Sequence, residues 1–309
     1  MKTDKKVARA LDRPSGINSL SEKAAYTGLL LPFMVLFTIF TIIPVFSSIV
    51  LSFFDYDQVS TPIWVGLENY LRMVIGDRLF PIVFKNTLVM AVILGPLSYI
   101  LAFVLAWCIS EFRPVVRTFL AFLFYAPGLV GNAYFVWSII FSGDAKGYAN
   151  SILLSLGLIN DPIVWFKNLD YNMGIIIIIQ LWMSLGVSFL SNIAGIQNVP
   201  HDMYEAGAID GIRNRWQELW YITLPSMKSI LLFGAVMQIQ SSFSIGAVIT
   251  ALVGYPTLNN SLDTIVTYLQ DVGTQRYEFG YAAAISVVLF LMMLLFRVLV
   301  GNLLNLLGK

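Results

Sequence analysis

Six stretches of this chain contain no Asp, Glu, Lys or Arg: residues 24–54, 86–110, 118–143, 171–201, 229–262 and 279–296. A helix crossing the ~30 Å hydrocarbon core of a bilayer needs about 20 mainly apolar residues. The last run is short of that, and reaches it by extending past Arg297 toward Leu304 with the guanidinium drawn to the nearer interface. Backbone groups in lipid must be paired within the protein, so each run predicts a helix. A membrane barrel would alternate apolar and polar residues, and Gly174-Ile175-Ile176-Ile177-Ile178-Ile179 does not. The expected fold is an all-α integral membrane protein with six transmembrane helices. Pro32, Pro44 and Pro96 fall inside these runs and predict kinks, not breaks. Only 12% of residues are charged, against about a quarter in soluble domains, and the Lys and Arg residues are too scattered to form a basic face for nucleic acid.

Counting Lys and Arg between the runs sets an orientation. With the N-terminus inside, the inner segments hold 13 of them and the outer segments 6. Positive charge favours the cytoplasmic side, so both termini are expected there, in a multi-pass protein of the bacterial cell membrane. The chain then divides into a basic tail at 1–23, a six-helix domain at 24–305 and a short C-terminus at 306–309. Three outer loops follow, at about 55–85, 144–170 and 263–278. Helical spacing of apolar residues recurs at 65–73 and 263–271, so these loops are expected to be folded. Trp64, Trp107 and Trp165 read as interface anchors.

The inner loop at 199–225 reads as helix, turn, helix. Pro200 and Asp202 suit a helix start, Gly211 a turn, and Asn214 with Gln217 a capping box opening a second short helix. Pro225 can begin the next membrane helix. Met203, Ile209, Trp216 and Trp220 are expected on the surface of this hairpin, as anchors for a partner's groove.

The run Glu205-Ala206-Gly207-Ala208-Ile209-Asp210-Gly211, followed by Ile222-Thr223-Leu224-Pro225, resembles the coupling-loop signature of binding-protein-dependent ABC importer permeases. Further likenesses are Leu31-Pro32-Phe33, Val65-Gly66-Leu67-Glu68-Asn69-Tyr70, Asn86-Thr87 and Phe279-Gly280-Tyr281-Ala282-Ala283-Ala284, which resemble the first membrane subunit of the maltose and glycerophosphate type. The resemblance implies a type I importer permease fold with a cytoplasmic coupling helix between helices 4 and 5. It implies four kinds of partner: a second permease, two ATPase subunits, an extracytoplasmic solute-binding protein and membrane lipid. It also implies that Met203, Tyr204, Glu205, Ala206, Gly207, Ile209, Asp210, Gly211, Leu224 and Pro225 couple to the ATPase.

No phosphate-cradling Gly-x-x-x-x-Gly-Lys-Ser/Thr is present, so ATP and Mg are expected on partner subunits and this chain is not expected to be an enzyme. One cysteine and one histidine leave no metal site. No ionisable residue lies deep in a span, which argues against proton or sodium coupling and for a neutral, hydroxylated substrate. The candidate pathway residues are Asn132, Tyr134 and Trp137 in the third run, Gln180, Trp182 and Ser184 in the fourth, and Gln238, Gln240, Ser241 and Ser242 in the fifth. Amides hydrogen-bond hydroxyls in both directions and aromatic faces stack on sugar rings. The same residues equally suit gluing helices together. The expected cargo is a sugar or oligosaccharide, with a polyol, glycerophosphodiester or polyamine as the alternative.

Overall fold

A computed structural model describes residues 20–307. The expected tail falls outside this range up to residue 19, and the first helix already begins at Leu20. The helices are α1 (Leu20–Phe37), α2 (Ile43–Leu51), α3 (Glu68–Leu71), α4 (Phe80–Ser110), α5 (Pro114–Leu129), α6 (Phe135–Ile140), α7 (Tyr148–Ser155) and α8 (Asn172–Met183). They continue with α9 (Val187–Gln197), α10 (His201–Ile209), α11 (Arg215–Glu218), α12 (Leu224–Ser226), α13 (Lys228–Phe243), α14 (Gly246–Leu252), α15 (Ile265–Gln270) and α16 (Phe279–Leu307). A two-residue antiparallel ladder, β1 (Phe54–Asp55) with β2 (Ile63–Trp64), pairs Phe54 with Trp64.

Four helical segments are long and apolar enough to cross a bilayer: Tyr26–Leu51, Phe80–Ser110, Lys228–Leu252 and Phe279–Leu304. Taken as a pair, α8 and α9 are also long and apolar enough, with a bend of 46° at their junction. The position expected for the third of six spans holds α5, an apolar helix of 16 residues, followed after a turn by α6. Three of the six runs are therefore interrupted where continuous helices were expected. Pro127 withholds an N–H and glycines 128 and 131 add little helix propensity, so α5 ends at Leu129. The fourth run unwinds at Ser184-Leu185-Gly186, where Gly186 sits at φ −122°, ψ −127°. The fifth turns at Ser244-Ile245 between α13 and α14.

Pro32 and Pro96 are carried within unbroken helices, as expected. Ahead of Pro44 the first span widens into a π turn at Thr38–Ile42. That widening accommodates the ring that would otherwise crowd the carbonyl four residues back.

The bundle centres on α4, α9 and α13. Ala102 and Ala106 let α4 approach Phe189 and Leu185 at the start of α9, a close approach that small residues permit in membranes. The last span packs on α13 and on α2, where Ser48 and Ser286 share a hydrogen bond of 2.8 Å.

One end of the bundle carries the hairpin at 199–225, and the opposite end is closed by folded loops. At that loop end α15 packs under the last span, and Asn86 of α4 donates to the carbonyls of Asn260 (2.8 Å) and Asp263 (3.0 Å). The Thr87 hydroxyl accepts from the Ile265 amide at 2.8 Å. The Asp77 carboxylate accepts from the hydroxyls of Tyr268 and Tyr281 and from the amides of Leu79 and Phe80, so loop, cap helix and last span meet on one acid. The helical segments expected at 65–73 and 263–271 are α3 and α15, each extended by a π turn.

Trp165 is a correction. At 9% exposure it is buried against Phe141 and Tyr171 and is no interface anchor, because the 144–170 loop folds back over it. Trp64 is exposed beside Phe53 and Phe54, and Trp107 is half-buried beside the hairpin.

Candidate functional site: the hairpin and the interrupted helices

The hairpin takes the form its sequence predicts, with differences at both capping positions. Pro200 caps α10 in an extended conformation and Asp202 lies in its first turn. Gly211 makes the turn at φ +96°, a conformation that favours glycine. Asn214 Oδ1 accepts from the Gln217 amide at 2.8 Å, but Gln217 Oε1 returns the bond to Arg213 and not to Asn214. Pro225 lies within the short α12, and the membrane helix proper starts three residues later at Lys228.

The coupling residues that the family resemblance implies divide into two sets. Ile209 is 87% exposed, and Met203, Glu205, Ala206, Asp210, Gly211 and Pro225 are exposed with it, as are Trp216 and Trp220. Gly207, by contrast, faces inward. A Cβ there would lie 2.6 Å from Ile222 Cδ1 and 3.1 Å from Ile212 Cδ1, so its lack of a side chain seats α10 against the π turn at Leu219–Thr223. Tyr204 and Leu224 are half-buried, and the Tyr204 hydroxyl shares a hydrogen bond of 3.0 Å with Thr223. His201 is exposed, 3.5 Å from Glu205.

A tether to the rest of the bundle was not legible in the sequence. Arg215 binds Glu111, just beyond α4, at 2.6 Å and Glu218 at 2.9 Å. Trp216 packs on Trp107 with ring centroids 5.1 Å apart. The hairpin is thus fastened to one end of α4, whose other end holds the loop cap through Asn86 and Thr87. Between the two runs a helix of 31 residues without a break. Glu111 ends a span, which marks it as a charge at an interface, but nothing local names a partner 104 positions away.

The pathway candidates converge on the interrupted helices. Gln180 Nε2 donates to the Ser241 carbonyl at 3.1 Å, and Gln238 Nε2 donates to the Ser184 carbonyl at 3.2 Å. Ser242 donates to the Gln238 carbonyl at 2.8 Å. The second of these bonds joins one of 2.8 Å from the Gly186 amide on the Ser184 carbonyl, which the break after α8 leaves without a helical partner. Gln180, Ser184, Gln238 and Ser242 are all buried, Ser241 is half-buried and Gln240 is exposed. Gln180 Oε1 and Gln238 Oε1 have no partner among the described residues, nor do Ser188 Oγ and both amide atoms of fully buried Asn192. Ser188 and Asn192, four residues apart on α9, share a face toward Gly234 of α13.

The remaining candidates sit at the other break. Asn132 is exposed in the turn after α5, where it accepts from the Tyr134 hydroxyl at 2.9 Å. Trp182 meets Trp137 edge-on at 5.5 Å. A Cβ on Gly128 would lie 3.5 Å from Gly186 Cα, so the breaks in the third and fourth runs adjoin. Paired discontinuous helices of this kind are where membrane transporters place their polar sites.

A polytopic helical bundle with adjoining helix breaks and a folded hairpin at one end defines a membrane transport subunit. The comparisons agree. Residues 100–308 match the family of binding-protein-dependent transport system inner membrane components. The chain belongs to that family. It is 32% identical to the probable ABC transporter permease protein YesP of Bacillus subtilis, over 82% of each chain. It is 31% identical to the arabinooligosaccharides transport system permease protein AraP of the same organism, over 89% of this chain and 86% of that one. The lactose transport system permease protein LacF of Rhizobium radiobacter is 26% identical over 84% and 87%. Among solved structures, a bacterial ABC transporter involved in import of the acidic polysaccharide alginate superposes with a TM-score of 0.77 at 21% identity, covering 94% of this chain and 98% of that one. The fold is that of a type I ABC importer permease.

Proposed function

We propose that this chain is the membrane-spanning subunit of an ATP-driven importer that passes a sugar or oligosaccharide received from an extracytoplasmic binding protein. The observation that carries the reading is the hairpin. Met203, Ile209, Trp216 and Trp220 stand exposed on a segment whose own packing is tight, which is what a surface made for a partner's groove presents. The hairpin end faces the cytoplasm, in keeping with the charge count, and docks on one of two ATPase subunits that hold ATP and Mg. A second permease completes the pore.

Glu205 and Asp210 offer exposed carboxylates to the ATPase, while Met203 and Ile209 fill its groove. Movement of the hairpin passes through Arg215–Glu111 and Trp216–Trp107 into α4, and from α4 to the loop cap on the far side. That cap is the surface for the binding protein. Alternating access is then a rigid-body shift of packed helices. Within the pore, Asn132, Tyr134 and Trp182 at the adjoining breaks meet the substrate. Gln180, Ser184, Gln238, Ser241 and Ser242 hold the broken helices together behind them.

The cargo class is supported by the relatives, whose names include arabinooligosaccharides, lactose and galactooligosaccharides. A second reading, a polyol, glycerophosphodiester or polyamine, draws on a relative of 26% identity named for osmoprotective compounds uptake. The test is reconstitution of the chain with its co-purifying subunits in proteoliposomes. Uptake of labelled oligosaccharide that needs ATP and the binding protein, and that Glu205→Lys abolishes without disassembling the complex, is the expected result. Uptake without ATP, normal uptake by Glu205→Lys, or labelling of the hairpin from outside the cell contradicts the reading.

A further inference from the structure

The loop that follows the first span carries a short helix with three unlike sides. α3 and the π turn that extends it run from Glu68 to Gly76. Asn69 and Met73 are buried against the bundle. Leu67, Leu71, Val74 and Ile75 recur at spacings of three and four residues and so share a second side. All four are exposed, Ile75 to 81%. Glu68, Arg72 and Gly76 take the third side, where they line a cavity of about 430 Å³ with Asp55. Four large apolar side chains exposed together on so short a segment mark a surface that something covers.

The level of this surface is fixed by bonds to the ends of two spans. Asn69 Nδ2 donates to the carbonyls of Ser52 (3.0 Å) and Phe54 (2.9 Å), and the Tyr70 hydroxyl donates to Ser52 Oγ at 2.7 Å. Ser52 directly follows Leu51, where the first span ends. Arg72 meets Glu278 at 2.6 Å with its guanidinium over the Tyr281 ring, and the last span begins at Phe279. The segment therefore bridges the loop-side ends of the first and last spans, at the boundary of the bilayer. The first span is itself exposed up to this level, at Phe46 and Val50. Trp64 stacks on Phe53 with ring centroids 5.7 Å apart, where amphipathic rings are favoured.

We infer that α3 and its π turn lie in the lipid interface on the loop-cap side, with Leu67, Leu71, Val74 and Ile75 seated among the acyl chains and Glu68 and Arg72 in water. Interfacial helices sink their apolar side about 5–10 Å into the headgroup and acyl boundary. Arg72 is the one cation of the segment and Glu278 already neutralises it, so the seating needs no anionic lipid. Seated in this way, the helix holds the loop-side ends of the first and last spans at one depth. The inference rests on the membrane-spanning fold; the proposed transport cycle enters only in naming the leaflet as the extracytoplasmic one.

The test uses the full-length chain with the subunits that accompany it, in phosphatidylcholine vesicles. Cys108→Ser removes the one native cysteine, and a nitroxide is attached through Glu68→Cys, Leu71→Cys or Ile75→Cys in turn. Collision with oxygen, which concentrates in lipid, is compared with collision with a water-soluble nickel chelate. The oxygen-to-nickel ratio at positions 71 and 75 is expected to exceed that at position 68 by about fivefold or more. Val74→Cys, on the same side, replaces either variant that fails to assemble. Equal ratios at all the labelled positions overturn the inference, because the apolar side then stands in water. Exclusion of both reagents from positions 71 and 75 overturns it as well and marks a partner subunit as the occupant. So does loss of nickel access at those positions only when the binding protein is added. None of these readings depends on solute uptake, so their failure is separable from failure of the transport reading.

Discussion

Gly207→Ala tests whether the hairpin is a rigid transmitter. Alanine raises helix propensity by about 0.5–1 kcal/mol over glycine, which on its own would stabilise α10. The new Cβ would stand 2.6 Å from Ile222 Cδ1 and 3.1 Å from Ile212 Cδ1. Ile222 is 5% exposed and packed in a buried cluster with Val199, Met227 and Leu231, so its terminal methyl has little room to retreat. Overpacking of this kind costs about 1–3 kcal/mol. The net expectation is a loss of roughly 0.5–2 kcal/mol, with α10 displaced from the π turn at Leu219–Thr223.

Ile222→Val removes the methyl that the Cβ would strike and by itself costs about 0.5–1.5 kcal/mol. In the double variant the alanine methyl takes up the vacated space, so the two changes should couple favourably by about 1–2 kcal/mol. The assay is the thermal inactivation midpoint of the solubilised importer together with its binding-protein-stimulated ATP hydrolysis. Gly207→Ala should lower both, and the double variant should lose about 1–2 kcal/mol less stability than the two single losses added together. Wild-type values for Gly207→Ala, or strictly additive losses in the double variant, refute the reasoning.

Three further outcomes follow from the structure. Glu111→Arg sets like charges against Arg215; exposed pairs are worth only about 0–1 kcal/mol, so stability should hold while substrate uptake falls several-fold, and Glu111→Asp should keep most of it. Burial works to raise the Asp77 carboxyl, but the hydrogen bonds from Tyr268, Tyr281 and the Leu79 and Phe80 amides outweigh it and hold the group below its ordinary value. Its stabilisation of the loop cap is therefore complete above about pH 4 and lost as pH falls below that; proteolysis of the 65–79 loop should rise in that acidic window, and Asp77→Asn should raise it at neutral pH and flatten the dependence. Asn192→Leu replaces a buried amide that has neither atom paired, which should raise the inactivation midpoint by the equivalent of about 1–2 kcal/mol; if the amide pairs in the opposite state of the transport cycle, uptake falls in the same variant, and an unchanged uptake limits Asn192 to a packing role.

Residue order alone makes legible the membrane class, the helical character of the runs, the place of the hairpin and the family. These rest on local facts: bilayer thickness sets the length of an apolar run, backbone pairing in lipid forces helix, and Glu205 to Gly211 is a contiguous signature. Pro127 marks the break in run three, but where runs four and five break was decided by tertiary structure, as where Gln238 of the facing helix joins Gly186 in donating to the Ser184 carbonyl. It also turned Gly207 inward, buried Trp165, joined Arg215 to Glu111 and gathered Tyr268 and Tyr281 on Asp77. Each of those depends on the approach of residues far apart in the chain, and the hydrophobic pattern of a membrane span, apolar on every side, does not say which side a neighbour will cover.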